Sequence, residues 1–253
     1  MKILDFPPLL FALSFFALWI ATRLGAALRR RRDLTQEARE DFNLIQAATL
    51  TLLGLLVGFT FSMAVSRYDQ RKNYEEAEAN AIGTEFVRAD LLGVSDAAKV
   101  RALLRSYLDQ RILFYSTRDP QELAQVNART ARLQSELWAA VAPQAAAQPT
   151  PIAALVVSGM NDVLNSQGYS QAAWWNRIPL AAWLLMTMVA ACCALSIGYG
   201  ARNAQGNPAL LLVLPFVLSI SFFLIADIDS PNGGVIRVSA QNLASLAQSL
   251  RAP

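Results

Sequence analysis

Apolar residues in this chain are gathered into four blocks, at about 3–27, 44–66, 178–199 and 208–227, instead of being spread at a helical or strand period. Each block is long enough to cross hydrocarbon as a helix, which takes roughly 20 residues. None carries a lysine or a carboxylate well inside its apolar run, and Asp5 and Arg23 flank the first. Between the second and third blocks the pattern changes. Residues 67–92 read as a continuation of the second helix into water. Asp96 is placed to cap a further helix, on which Val100, Leu103, Leu104, Tyr107, Leu108 and Ile112 fall close to helical period. A third candidate spans 120–142, with Asp119 before Pro120 and Leu123, Val126, Leu133 and Leu137 on one side. The Ala/Gln/Pro-rich stretch Pro143 to Pro151 reads as a loop, and 152–166 as a shorter helix stopped by Gly168. Strand signals are nearly absent.

The predicted fold is therefore all-α: a polytopic membrane protein with four transmembrane helices and a helical insert between the second and third. Residues 1–66 form a first transmembrane hairpin, 67–177 the insert, 178–227 a second hairpin and 228–253 a C-terminal tail. A short amphipathic helix is expected in the tail, beginning near Ser239. Composition agrees: 54% of the 253 residues are hydrophobic and 16% charged, against about a quarter charged in soluble domains.

The first block begins after Lys2 like a secretory signal, but no small-x-small cleavage site follows it. Arg29 to Arg32 follow instead and act as a stop, so it reads as a retained span, with Pro7 and Pro8 in the first turn where missing amide donors cost least. Beside a span, the arginine run is a headgroup contact and topology signal before it is a nucleic-acid patch, and no nucleic-acid partner is expected. Trp174 and Trp175, just ahead of the third span, suit the headgroup belt. Composition, rich in alanine and in arginine over lysine, suggests a high-GC bacterium and hence its inner (plasma) membrane.

The second span carries two stripes at four-residue spacing. Gly54, Gly58, Ser62 and Ser66 form a file of small side chains; Ala47, Thr51, Leu55 and Phe59 form a neighbouring file of growing bulk. Lipid tails give no hydrophobic drive for helices to associate, so small files that permit close approach do that work. The bulkier file then faces whatever the packed helices enclose. Such a helix can line a pore, and the same pattern also suits an ordinary packed helix.

Chemistry for catalysis is missing. The chain has no histidine, which removes the commonest general base and metal ligand. Cys192 and Cys193 sit side by side in the third span with no partners at zinc spacing, and no phosphate loop or nucleophile elbow occurs. No enzyme activity, cofactor or metal is expected. Glu75 and Glu76 read as charge balance for Arg71 and Lys72 on a solvated face. Asp227 and Asp229, at the end of the last span, are a possible ion-binding pair; as two carboxylates alone they also suit a helix terminus turned by Pro231 and the following glycines.

The passage from Gly58 to Asn73 has a Gly-Phe within a span, then Arg67-Tyr68 and a polar helix, and it resembles the pore helix of bestrophins. The segment Glu78-Ala79-Asn80-Ala81-Ile82-Gly83-Thr84, the ending from Asp227 to Ser239, and the layout of two spans, insert and two spans are similar to a bacterial bestrophin-like membrane-protein family of unknown function. That similarity covers nearly the whole chain. Bestrophins are pentameric anion channels with a constriction of apolar side chains at four-residue spacing on this helix. The resemblance implies a pentamer, an inorganic anion such as chloride, and a pore constriction at Thr51, Leu55 and Phe59. Only Phe59 is aromatic here, and Thr51 is polar. Rings of Leu55 and Phe59 would gate by dewetting, whereas a ring of Thr51 would leave hydroxyls facing the ion. The calcium clasp of animal bestrophins is represented at most by Asp227 and Asp229.

Topology signals oppose one another: the resemblance puts the insert in the cytoplasm, while the arginine cluster argues that its own short loop is cytoplasmic. Two functions follow. In one, copies of the second span surround an axis, with Arg67 as a pore-end charge that concentrates anions; Arg67 also suits a snorkelling anchor. In the other, the protein is a non-conducting scaffold or sensor whose insert binds a partner, and the small file packs the four spans of one subunit.

Overall fold

A computed structural model of the chain describes residues 5–29, 35–201 and 209–251. The arginines at 30–32 and the polar stretch 202–207 lie outside the described residues. Among the described residues eight α-helices follow in order: α1 (Pro7–Arg29), α2 (Gln36–Arg88), α3 (Val94–Ser116), α4 (Pro120–Ala147), α5 (Pro151–Trp175), α6 (Leu180–Gly200), α7 (Leu210–Asp229) and α8 (Gln241–Ser249), with a 3-10 turn at Ala89–Leu91. Four of these helical stretches are long and apolar enough to cross a membrane, and they overlap the four predicted blocks over most of their length.

The chain divides into two compact units, Met1–Tyr68 with Arg177–Arg237, and Asp69–Asn176 with Val238–Pro253. The tail is thus shared: 228–237 stay with the spans and 238 onward joins the insert.

In the span unit, α1 packs on α6 and α7. The α1–α6 approach is reciprocal. A Cβ at Gly25 would overlap the backbone carbonyl of Leu195, and one at Gly198 would overlap that of Thr22. Each helix therefore presents a glycine to the other's main chain, the close approach that replaces hydrophobic drive in lipid. Around this seam Leu18, Leu53, Ala64, Trp183, Met186, Ala190, Phe222 and Ile225 form the core. Arg29 Nη1 donates to the carbonyls of Tyr199 and Gly200 at 3.2 Å, satisfying acceptors exposed at the end of α6.

In the insert unit the core is conventional: Leu104, Tyr107, Phe114, Leu137, Met160 and Val163 are buried. Each such side chain taken from water contributes about 1.5–3 kcal/mol. Trp174 joins this core, with its ring 4.9 Å from Phe114 and 5.4 Å from Tyr115. The headgroup expectation fails for it, because neighbouring rings cover its indole; Trp175 is exposed.

Several boundaries differ from the sequence reading. α2 starts at Gln36, because the Thr35 hydroxyl accepts from Ala38 N at 3.4 Å and opens the helix inside a charged stretch, well ahead of the apolar block. Asp96 is the third residue of α3, inside its first turn, and Gly93 stands at the cap position. Asp119 does cap α4, accepting from Gln121 N at 2.9 Å. α4 runs through Pro143 to Ala147, and α5 runs through Gly168 to Trp175. Neither local breaker outweighs the packing of α4 on α5.

Candidate pore helix and its charged terminus

The span of α2 has two faces. Leu53, Thr60 and Ala64 are buried, and Leu50, Leu56, Val57, Val65 and Tyr68 pack partly against the same core. On the other face Thr51, Leu55 and Phe59 are exposed, Phe59 to 64%. Gly54, Gly58, Ser62 and Ser66 are exposed as well, and a Cβ at Gly54 or Gly58 would meet nothing within 4 Å. Both predicted files therefore lie on the side of α2 that the other described residues leave uncovered. Thr51 Oγ1 donates to the Ala47 carbonyl at 2.9 Å, so its hydrogen is turned into the helix and its lone pairs outward.

At the end of this span, residues from three elements meet within the span unit. Asp229, the last residue of α7, is buried; its two carboxylate oxygens each accept from Ile178 N at 3.2 Å. Arg67 Nη1 of α2 lies 3.7 Å from one oxygen, and Arg177 Nε lies 3.5 Å from the other. Arg177 also pairs with Asp5. Asp227, equally buried, accepts from Val235 N and Ile236 N at 2.8 Å each, which closes the turn after α7. Gly234 is required there, since a Cβ on it would overlap the Asp227 carbonyl. The two carboxylates thus serve different neighbours, and no group of three metal-ligating side chains occurs among the described residues. Arg67 faces a counter-charge and is only 15% exposed along its side chain.

The insert holds a second charged cluster. Glu78 and Arg111 are fully buried and form an ion pair, with Arg111 Nε donating to Glu78 Oε1. Tyr115 Oη and Ser170 Oγ donate to Glu78 Oε2 at 3.4 and 3.0 Å. Burial opposes the Arg111 charge, but the Glu78 carboxylate outweighs it and pushes the guanidinium further up. Burial, and then the Glu78 charge, push the Tyr115 phenol up, so it remains a donor. Glu75 is buried too, accepting from Leu243 N at 3.0 Å and Asn242 Nδ2 at 2.6 Å at the start of α8. This corrects the solvated-face reading for Glu75; Glu76 is exposed as expected.

Sequence reasoning overlooked Arg177 and the α1–α6 glycines. A signal existed for Arg177: an arginine two residues ahead of a span-opening proline, in a chain whose last span ends in two aspartates.

Four membrane-length helices with a helical insert between the second and third define a multi-pass α-helical membrane protein. Within that class, the model of the bestrophin-like domain matches residues 9–243. The chain belongs to the bestrophin-like family and is a multi-pass membrane protein. That family is one of channels or scaffolds, not of catalysts. Solved structures of a bacterial bestrophin homologue from Klebsiella pneumoniae share the fold. A tryptophan-to-alanine variant aligns at TM-score 0.67 and 12% identity, over 95% of this chain and 93% of its own. An isoleucine-to-threonine variant aligns at 0.66 and 15%, over 97% and 99%. A further structure of that homologue gives 0.65 and 15%, over 95% and 96%. No curated protein matches the sequence.

Proposed function

We propose that this protein is a homo-oligomeric ion channel, selective for anions such as chloride, whose pore is lined by the span of α2. Thr51, Leu55 and Phe59 face the axis, and Gly54, Gly58, Ser62 and Ser66 pack neighbouring copies. A pentamer is the assembly the family resemblance implies. One observation carries this reading: a helix that gives one face to the core leaves its glycine file and its bulky file open together. Glycine exposed to lipid has no packing value, whereas against another helix it permits close approach. The scaffold reading assigns this file to packing within one subunit, yet among the described residues a Cβ at Gly54 or Gly58 would meet nothing within 4 Å. Arg67 enters as a charge shared with Asp229, so its pull on anions is weaker than that of a free guanidinium.

Chloride flux from liposomes holding the purified protein, compared with a Leu55→Ala/Phe59→Ala variant, tests the proposal. Widening a dewetted constriction raises flux. Absence of flux from both well-folded proteins would return the scaffold reading and direct attention to what the insert binds.

A further inference from the structure

Glu85 lies on α2 within the insert unit, and its side chain is fully buried. Neither carboxylate oxygen has a hydrogen-bond partner. On the facing helix, α5, the residue against it is Gly159; a Cβ there would overlap Glu85 Oε2 and Arg88 Nη1. The backbone of α5 therefore rests directly on the carboxyl, with no room for an intervening side chain. Two charged groups act on Glu85: Arg88 from its own helix, which favours ionisation, and Asp162 from α5, which opposes it. Arg88 Nη1 reaches the same point of α5 as Glu85 Oε2, so its guanidinium is a near neighbour of the carboxyl without bonding to it. This differs from Glu75 and Glu78 on the same buried stripe, both of which are met by donors. An ionised carboxylate in such a place carries a desolvation cost that Arg88 offsets only in part, while a protonated one carries far less.

We propose that Glu85 is a proton-binding site that governs the contact of α5 with α2: the protonated carboxyl lets Gly159 seat on it, and ionisation lifts α5 away. The inference stands apart from the channel reading, since it concerns only the insert. Burial, partly offset by Arg88, pushes the carboxyl up from 4.5 to about 8. With α5 seated, Glu85 therefore holds its proton up to about pH 8, whereas a hydrated Glu85 releases it near 4.5. The seated form binds the extra proton between those values. The contact is thus strongest in acid, weakens as pH rises, and levels off once the seated carboxyl is itself ionised.

Hydrogen exchange of α5 amides in the detergent-solubilised full-length protein, corrected for intrinsic rates, reads this directly. The expected protection factor falls about tenfold per pH unit on approach to pH 8 and then flattens. In Glu85→Gln, which mimics the protonated form, it stays high and independent of pH. A wild-type profile flat across neutral pH, or an equal slope in Glu85→Gln, overturns the proposal. The infrared carbonyl band of a protonated carboxylic acid offers a measurement on the wild type alone. Its loss near pH 8 supports the site, and its absence at pH 7 refutes it, even if the variant does not fold.

Discussion

The α1–α6 seam and the outer face of α2 use the same residue type for opposite ends. At the seam, Gly25 and Gly198 each lie under the other helix's carbonyl, so their lack of a side chain is consumed inside the chain. On α2, Gly54 and Gly58 face open space although the opposite side of the helix is buried. The composition of a small-residue file thus does not say whether it closes a subunit or awaits a neighbour. Only the position of the other helices decides that. The seam holds one chain together; the α2 file is available to hold copies together.

The comparison breaks most severely at the seam. Gly198→Val would drive a branched side chain into the Thr22 carbonyl, and the expected loss is about 4–5 kcal/mol, seen as a collapse of thermal stability in detergent. A variant with near-native melting would show that the helices can part cheaply, and the contrast would dissolve. Next comes Asp229→Asn, which keeps the shape but removes the counter-charge facing Arg67 and Arg177. Leaving two partly buried guanidinium groups less compensated should cost about 1–2 kcal/mol in a denaturant series. An unchanged midpoint would mean solvent already screens them. The smallest effect on the fold belongs to Gly54→Ala/Gly58→Ala, which should move stability of the single chain by less than about 0.5 kcal/mol. The same pair should lower the oligomer fraction measured by light scattering, and loss of fold in its place would put those glycines inside the subunit.

Much of this architecture is written in the residue pattern. Four apolar blocks set the spans, and a chain without histidine lacks the commonest general base and metal ligand. The two files on the second span are visible at four-residue spacing, but which side of α2 meets α6 and α7 is a tertiary fact. The insert misled for a specific reason. On α2, Arg71, Glu75, Glu78, Ile82, Glu85 and Ala89 form one buried stripe, whereas Val87 and Leu91 are exposed. The usual inference from polarity to solvent is inverted there, because Arg111, Ser170 and the start of α8 supply donors from distant parts of the sequence. Breakers failed similarly: Pro143 and Gly168 sit inside long helices, where their local cost of about 1–3 kcal/mol is offset by packing of α4 on α5.

Burial of Trp174 among aromatic rings has an optical consequence. Each compact unit owns one enclosed indole: Trp183, edge-on to Phe222 at 6.2 Å, among the spans, and Trp174, beside Phe114 and Tyr115, in the insert. With Trp19, Trp138 and Trp175 replaced by phenylalanine, residual emission comes from those two fluorophores alone. Removing either one leaves a red shift that reports the melting of a single unit, so the cooperativity of the whole chain can be read by spectroscopy without any added label.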